Sequence, residues 1–138
     1  MTVAQDKQLD KTVTEQASRD VGVRISNTSG TVCYINDFSL TGGSWKSIPP
    51  AGQAINPGDD VEYHNFTDTP YTNLGGTMNL TTATGGKITI QWNWAWGSLI
   101  TGSATGTSLQ GMAVSSYFVN RNLSTPELVT VLTNAPSA

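Results

Sequence analysis

Three of the four tryptophans in this chain lie within five residues of one another, at positions 92, 94 and 96. Successive side chains of an extended strand alternate between its two faces, so Trp92, Trp94 and Trp96 share one face, which Ile88 and Ile90 continue. An indole combines a large apolar ring with one N–H donor, and it suits a packed core, a protein interface or the headgroup layer of a lipid bilayer. The sequence leaves core and binding surface equally open for Trp92 and Trp94. Trp96, at the strand end before Gly-Ser, favours an exposed rim.

Residue patterns that support catalysis or bind metals are absent from the sequence. It contains no metal-ligand spacing, no glycine-rich phosphate loop and no Gly-x-Ser-x-Gly nucleophile elbow. His64, the only histidine, alternates with Asp60 and Glu62 on one strand face, where such a row can clamp a cation or polarise the imidazole. The row is more often the solvated side of a half-buried strand, because Val61 and Tyr63 point the other way. We therefore expect a protein that is not an enzyme, with no catalytic residues, no metal and no cofactor.

The charge distribution argues against nucleic acid and anionic lipid as partners, because proteins bind both through clustered basic residues. The formal net charge is −3, and only 12% of the residues are charged. Beyond the first twenty residues the basic side chains are few and scattered: Arg24, Lys46, Lys87 and Arg121. No patch can follow a phosphate backbone, so we expect no nucleic-acid partner, and attachment to anionic lipid through charge is equally disfavoured. A membrane contact would have to rely on aromatic side chains and on hydrogen bonds to headgroups.

The period of the apolar residues separates the chain into two parts. Seven of the first twenty residues are charged, and residues 1–20 are predicted to form a polar N-terminal arm, mobile or loosely helical. Residues 21–138 alternate with period two between turn signals and are predicted to form an all-β domain, an antiparallel β-sandwich of about seven to ten short strands. Within it, the Gly-, Ser- and Thr-rich stretch 97–111 is predicted to be a loop, and residues 45–48 a short strand.

The start of the chain and its single cysteine bear on the cellular compartment. Residues 1–7 contain no apolar core of a secretory signal, and no apolar run approaches the length of a transmembrane helix. Cys33 excludes a disulfide within the chain and, among its apolar neighbours, is expected to be a buried structural thiol. We expect synthesis in the cytoplasm without a signal peptide, and release by another route if the protein acts elsewhere.

A longer pattern around the tryptophans resembles one protein family. Residues 92–98 read Trp-Asn-Trp-Ala-Trp-Gly-Ser and resemble the segment Trp-Asp-x-Pro-Trp-Gly-Ser of aegerolysins, which are small acidic β-sandwich proteins of fungi and bacteria. Four further segments, within about residues 21–132, resemble the family in order and spacing: Val23-x-Ile25-x-Asn27, Trp45-Lys46 after a glycine-rich turn, Asp59-Asp60 before a strand, and Gly76-Thr77-Met78-x-Leu80. Ala95 replaces the family's proline, and Thr72-Asn73-Leu74 lacks the acidic residue that bears on lipid choice.

The resemblance implies a protein that binds membrane lipids. Aegerolysins bind bilayers, notably those that contain sphingolipids, and several act with a second, larger protein that forms the pore. Some bacterial members are one half of a binary insecticidal toxin. By this resemblance Trp45, Trp92 and Trp96 are lipid-facing aromatic residues. Lys46, beside Trp45, is also a predicted lipid-binding residue. Trp94 is the lesser candidate, because the family has a small residue at its position.

The resemblance to aegerolysins also implies which partners the protein binds and where it acts. The implied partners are membrane lipids, sphingolipids among them, and a second pore-forming protein, and oligomer formation is left open. The protein would act outside the cell, at the membrane of a target cell, after its release. The leading prediction is thus an aegerolysin-like cytolysin that serves as the lipid-recognition component of a pore-forming or insecticidal toxin.

Two other functions remain open on the residues alone. An actinoporin-like protein would form pores by itself by inserting its N-terminal arm, which requires a wider apolar face than residues 1–20 offer. A carbohydrate-binding β-sandwich, or lectin, would use the aromatic row as a stacking platform. In that case Gln91 and Asn93 could read sugar hydroxyls only if their strand were exposed on both faces.

Overall fold

The computed structural model describes residues 17–136, which form ten β-strands and no helix. The strands are β1 (Arg19–Asn27), β2 (Cys33–Gly42), β3 (Ser44–Trp45), β4 (Ala54–Ile55), β5 (Asp60–Thr67), β6 (Leu74–Thr82), β7 (Lys87–Trp94), β8 (Thr101–Thr107), β9 (Met112–Val119) and β10 (Glu127–Asn134). The predicted all-β class is confirmed, and the strand count of this region lies at the upper end of the predicted range. No helix in this part of the chain is long and apolar enough to span a bilayer.

The strands form two five-stranded sheets that enclose a common core. The first sheet has the order β3-β5-β1-β10-β9, and the second has the order β4-β2-β6-β7-β8. Neighbouring strands are antiparallel except β1 and β10, which pair in parallel from Gly22↔Glu127 to Asn27↔Leu132. The predicted antiparallel sandwich is therefore confirmed apart from this pair, which joins the first and last strands of the described region within the first sheet.

The core lies between the sheets, on the strand faces that alternate inward. On β7 the outward residues Gln91 and Asn93 face solvent, and the inward residues are at most 3% exposed: Ile88, Ile90, Trp92 and Trp94. Burying a large apolar side chain contributes about 2 kcal/mol. The alternation that the sequence displays from residue 88 onward thus corresponds to a strand that covers the core with one face and leaves the other in water.

Trp92 fits between the sheets because its neighbours on both adjacent strands are glycines. Gly76 on β6 and Gly102 on β8 pair with Trp92 and share its inward face. A Cβ on residue 76 would stand 2.6 Å from Trp92 Cζ2, and a Cβ on residue 102 would stand 3.2 Å from Trp92 Cβ. Gly76 thus leaves the space that the indole ring occupies, and Gly102 avoids a clash with the Gln91 carbonyl oxygen, which would lie 2.5 Å from its Cβ.

The stretch 97–111, predicted to be a loop, contains strand β8, which pairs with β7 over its whole length. The prediction was wrong because the inward positions of β8 are small. Gly102, Ala104 and Gly106 carry no large apolar side chain that would reveal a period of two. Backbone hydrogen bonds to β7, and the room that Trp92 needs, place this segment in the sheet.

Two further boundaries differ from the prediction. β1 begins at Arg19, inside the predicted arm, because the Arg19 side chain is only 2% exposed and lies against the rings of Trp94 and Trp96. β3 spans Ser44–Trp45, so residues 46–48 of the predicted strand lie outside it. The rest of the predicted arm, residues 1–16, falls outside the described residues.

We expect Gly76→Ala to lower the free energy of unfolding by about 2 kcal/mol, because the added methyl group overpacks the space beside Trp92. Urea denaturation measures the change. Gly30→Ala is the matched control, since a Cβ at residue 30 meets nothing closer than Asn134 Oδ1 at 3.6 Å. Equal stability of the two variants would contradict the proposed role of Gly76.

Candidate functional site

Trp92 and Trp94 belong to the core of the sandwich. Their exposed fractions are 3% and 1%. The Trp92 Nε1–H donates a hydrogen bond to Asn65 Oδ1 at 3.0 Å, and the Trp94 Nε1–H donates to the Ser98 carbonyl at 2.7 Å. The structure therefore buries the rings of these two predicted site residues between the sheets, and each indole N–H donates to a group of the protein.

Asn65, which sequence reasoning did not single out, positions Trp92 and the chain around it. Its side chain is fully buried on β5. The Oδ1 atom also accepts the Gly75 N–H at 3.0 Å, while Nδ2 donates to the carbonyls of Gly42 at 3.0 Å and Ser44 at 3.4 Å. Nothing in the local sequence distinguishes this asparagine from an exposed one, because its partners come from β2, β3, β6 and β7.

Trp45 and Lys46 lie near one edge of the sandwich, on opposite sides of the chain. The half-buried Trp45 ring packs edge-on against Phe38 and Trp92, with centroid distances of 5.8 and 6.0 Å. The exposed Lys46 ammonium lies 2.5 Å from Asp20 Oδ2 and 5.7 Å from the centre of the Phe66 ring. Asp20 raises the pKa of Lys46, so this lysine stays charged and its charge is matched by a neighbour.

Trp96 lies beyond the end of β7, in the turn that leads to β8. Its half-buried ring is 5.0 Å from the Tyr71 ring and 4.8 Å from the Arg19 guanidinium. The Trp96 backbone N–H donates to Asn73 Oδ1 at 2.8 Å, and Gly97 adopts the left-handed conformation that closes the turn, with φ of 79°. Trp96 is thus held at the rim by groups on both sides.

Three exposed apolar side chains lie at the same end of the sandwich as Trp96, and the sequence analysis identified none of them. Tyr71, Leu99 and Leu123 are 78%, 44% and 48% exposed. They come from the loops that follow β5, β7 and β9, and the antiparallel pairing brings those loops to one end of the sandwich. Tyr71 and Leu123 are isolated among polar residues, and Leu99 is followed by the buried Ile100, so nothing in the local sequence marks these three residues as a group.

We call this surface the loop end; its residues are Tyr71, Trp96, Leu99 and Leu123. The loops are bonded to one another and to the sheets. The Arg19 guanidinium donates to the Thr72 carbonyl, and the Arg121 Nε–H donates to the Ile100 carbonyl at 2.8 Å. Burial lowers the pKa of Arg19, whose cation also faces the Trp94 and Trp96 rings.

The five predicted site residues thus separate into two groups. Trp94 and Trp96 both lie against Arg19, whereas Trp45 packs against Trp92. Within residues 17–136 no ring contact joins one pair to the other. The structure therefore brings Trp96 together with loop residues that are distant in sequence. Trp45 packs against the core, and Lys46 lines a polar pocket together with Arg19 and Ser124.

The row Asp60, Glu62 and His64 lies on the outer face of the first sheet, as predicted for a solvated strand face. Arg24 binds Asp60 through two hydrogen bonds of 2.8 and 2.5 Å and holds the pKa of that carboxyl below its usual value. His64 Nδ1 lies 2.7 Å from Asp20 Oδ1. Partial burial and the carboxylate of Glu127 raise the pKa of Glu62. Among the described residues no group of acidic, histidine or cysteine side chains is placed to hold a metal ion.

Comparison with known structures identifies the fold. The lipid binding protein Nakanori is 12% identical, with a TM-score of 0.67 over 94% of this chain and 78% of its own. IP-1A from Alcaligenes faecalis is 12% identical, with a TM-score of 0.67 over 92% of this chain and 98% of its own. The chain shares its fold with these proteins. The resemblance to aegerolysins that the sequence indicates is thereby confirmed at the level of the fold.

The same architecture also occurs in a lectin. The wild-type Xerocomus chrysenteron lectin XCL is 10% identical, with a TM-score of 0.57 over 83% of this chain and 99% of its own. At such identities the likeness concerns architecture alone. No family model matches the sequence, and no significant match is found among curated proteins.

We expect Asn65→Ala to lower the free energy of unfolding by about 3 kcal/mol, because it leaves the Trp92 and Gly75 N–H groups buried without partners. Urea denaturation measures the loss. Asn79→Ala is the control, since Asn79 makes its hydrogen bonds on the outer face, where water can replace them. An Asn65 variant that is no less stable than the Asn79 variant would refute the assignment.

We expect Glu62→Gln to raise the free energy of unfolding at neutral pH by about 0.5 kcal/mol, because it removes a partly screened repulsion from Glu127. Since the pKa of Glu62 is raised in the folded protein, wild type regains this stability as the pH falls through that pKa. The advantage of the variant should therefore shrink at acidic pH. Denaturation curves over a pH series measure this difference in stability. Asp60→Asn is the comparison variant: it removes a carboxyl whose pKa is lowered by Arg24, so it should lower the free energy of unfolding at neutral pH.

Proposed function

We propose that this protein binds membrane lipids through the loop end. The observation that carries the proposal is the clustering of Tyr71, Trp96, Leu99 and Leu123, from three separate loops, at one end of the sandwich. Aromatic rings with a polar group suit the headgroup layer of a bilayer, and leucines suit the region just beneath it. The lipid-binding fold neighbour supports the same reading.

The loop end is organised before it meets a membrane. Trp96 is fixed by Tyr71 on one side, by the Arg19 guanidinium on the other and by the Asn73 amide through its backbone. Binding therefore costs little further ordering of this ring. Each large apolar side chain that leaves water contributes about 2 kcal/mol, so a few such residues together suffice for reversible attachment.

The charges of the protein bear on the kind of lipid. The chain carries a net charge of −3, and the Lys46 ammonium is already paired with Asp20. Neutral or zwitterionic headgroups are therefore the natural ligands, and sphingolipid-containing bilayers are the proposed target. Trp45 and Lys46 remain predicted lipid contacts, while Trp92 and Trp94 support the site from the core by holding β7 in place.

A role in a toxin extends the proposal further. The resemblance to aegerolysins supports a lipid-recognition component that acts at the outer membrane surface of a target cell, with a second protein that forms the pore. The proposed action by lipid binding requires no catalysis. An actinoporin-like mechanism would depend on residues 1–16, and a deletion that tests it must stop before Arg19, because β1 starts there.

We expect Trp96→Ala and Tyr71→Ala each to weaken binding to sphingomyelin-containing vesicles about tenfold or more, because each removes a ring that the bilayer would bury. Vesicle flotation measures the binding, with thermal unfolding as the check on folding. Trp96→Phe should retain most of the binding, since it keeps an apolar ring.

Tyr34→Ala is the matched control for this experiment. Tyr34 is an exposed tyrosine on the second sheet, paired with Ala54 and Thr81 and away from the loop end. Binding that persists in the Trp96 and Tyr71 variants, or falls equally in the Tyr34 variant, would reject the loop end as the lipid site. Vesicles without sphingomyelin test the lipid class separately, and dye release that is lost on deleting residues 1–16 would favour the actinoporin-like alternative.

A further inference from the structure

A polar groove lies on the outer face of the second sheet, opposite the buried tryptophans. It has a volume of about 420 Å³, within the range typical of small-molecule sites. The backbone around Gly76, Trp92 and Gly102 forms its floor, because the side-chain positions of these residues face inward. Its side-chain lining comes from β2, β6, β7 and β8: Thr41, Thr77, Gln91, Asn93, Thr101 and Ser103.

The hydrogen-bonding groups of this lining are largely uncommitted. Within residues 17–136 the side chains of Thr77, Gln91 and Ser103 make no hydrogen bond to another protein group, although they stand side by side across three strands. The Thr101 hydroxyl donates only a long bond of 3.4 Å, to the Asn93 carbonyl. The groove therefore presents hydroxyl and amide groups that are free to bind a ligand.

The neighbouring row of the same face differs in this respect. Asn79 Nδ2 donates to Asp37 Oδ1 at 2.6 Å, and the Thr89 hydroxyl donates to Asn79 Oδ1 at 2.8 Å. Asn79 follows Thr77 by two positions, and Thr89 precedes Gln91 by two positions, on the same strands. Two hydrogen bonds therefore join side chains of this row, whereas Thr77, Gln91 and Ser103 in the groove are left to water or to a ligand.

The uncharged hydroxyl and carboxamide side chains that line the groove indicate which class of ligand it can bind. None of its side chains carries a charge, so a phosphate, a carboxylate or an ammonium group would find no partner of opposite sign. Hydroxyl and carboxamide groups both donate and accept hydrogen bonds, and they match a ligand that carries several adjacent hydroxyl groups. The ligand that fits is neutral and polyhydroxylated.

We infer that this groove binds a neutral sugar residue of a glycan. The aromatic row is buried, so recognition here uses hydrogen bonds from the outward face of β7 rather than stacking on the indoles. Asn93 lies one residue before the end of β7, and Trp96 lies in the turn that follows, so the groove lies toward the end of the second sheet that carries the loop end. The sugar can belong to a soluble glycan or to the headgroup of a membrane glycolipid.

The experiment uses the full chain and two sources of neutral sugar. An array of neutral oligosaccharides presents free glycans, and phosphatidylcholine vesicles with and without galactosylceramide present a sugar headgroup. Gln91→Ala and Asn93→Ala each remove an amide from the groove, and each should weaken binding about tenfold. Thr105→Ala is the control, because Thr105 is exposed on the same face of β8 and does not line the groove.

Weak binding is followed through the side-chain amide signals of Gln91 and Asn93 by NMR during titration with the oligosaccharides that the array selects. Shifts at these amides, lost affinity in both groove variants and retained affinity in Thr105→Ala support the site, from whichever source the sugar comes. No binding in either arm, affinity retained by both groove variants, or equal loss in Thr105→Ala overturns it. Free glycans bind without a bilayer, so this arm reports on the groove whatever the vesicle experiment says about the loop end.

Discussion

The hydrogen bonds of Asn65 couple the two sheets, and both candidate surfaces depend on that coupling. Asn65 lies on the first sheet, and its amide donates to the carbonyls of Gly42 and Ser44, where the chain passes from one sheet to the other. Its Oδ1 atom accepts the N–H groups of Gly75 and Trp92 from the second sheet. A buried amide without partners would cost about 1–3 kcal/mol for each unmade bond, so this set ties the position of β7 to that of β5.

The position of β7 decides what each part of the molecule can do. In the observed register Trp92 and Trp94 fill the core, Gln91 and Asn93 face the groove, and the strand delivers Trp96 to the loop end. A shift by one residue would exchange the two faces and destroy both surfaces together. One strand therefore supplies the stability of the fold and the geometry of two candidate sites.

The two ends of the sandwich are built differently. At the end opposite the loop end, buried Asn27 donates to the carbonyls of Thr31 and Ile55, and its Oδ1 accepts bonds from Ser29. At that end the buried polar side chains are satisfied by hydrogen bonds within the protein. The loop end is also bonded internally, through Arg19 and neighbouring groups, but it leaves apolar side chains in water. The apolar side chains that three loops expose together at this end suit the proposed contact with a lipid surface.

Much of the fold could be predicted from the sequence, because the period-two apolar pattern and the turn residues specify strands and the side chains that share a face. The pattern failed for β8, whose inward residues are small, and it could not assign Arg19, whose partners are distant in the chain. The sequence by itself determined an all-β protein with its indoles on one strand face. The strand-end position of Trp96 already predicted a rim residue. Only the tertiary structure decided that Trp92 and Trp94 are core and that Tyr71 lies beside Trp96, because a local period does not show which distant strands and loops cover a face.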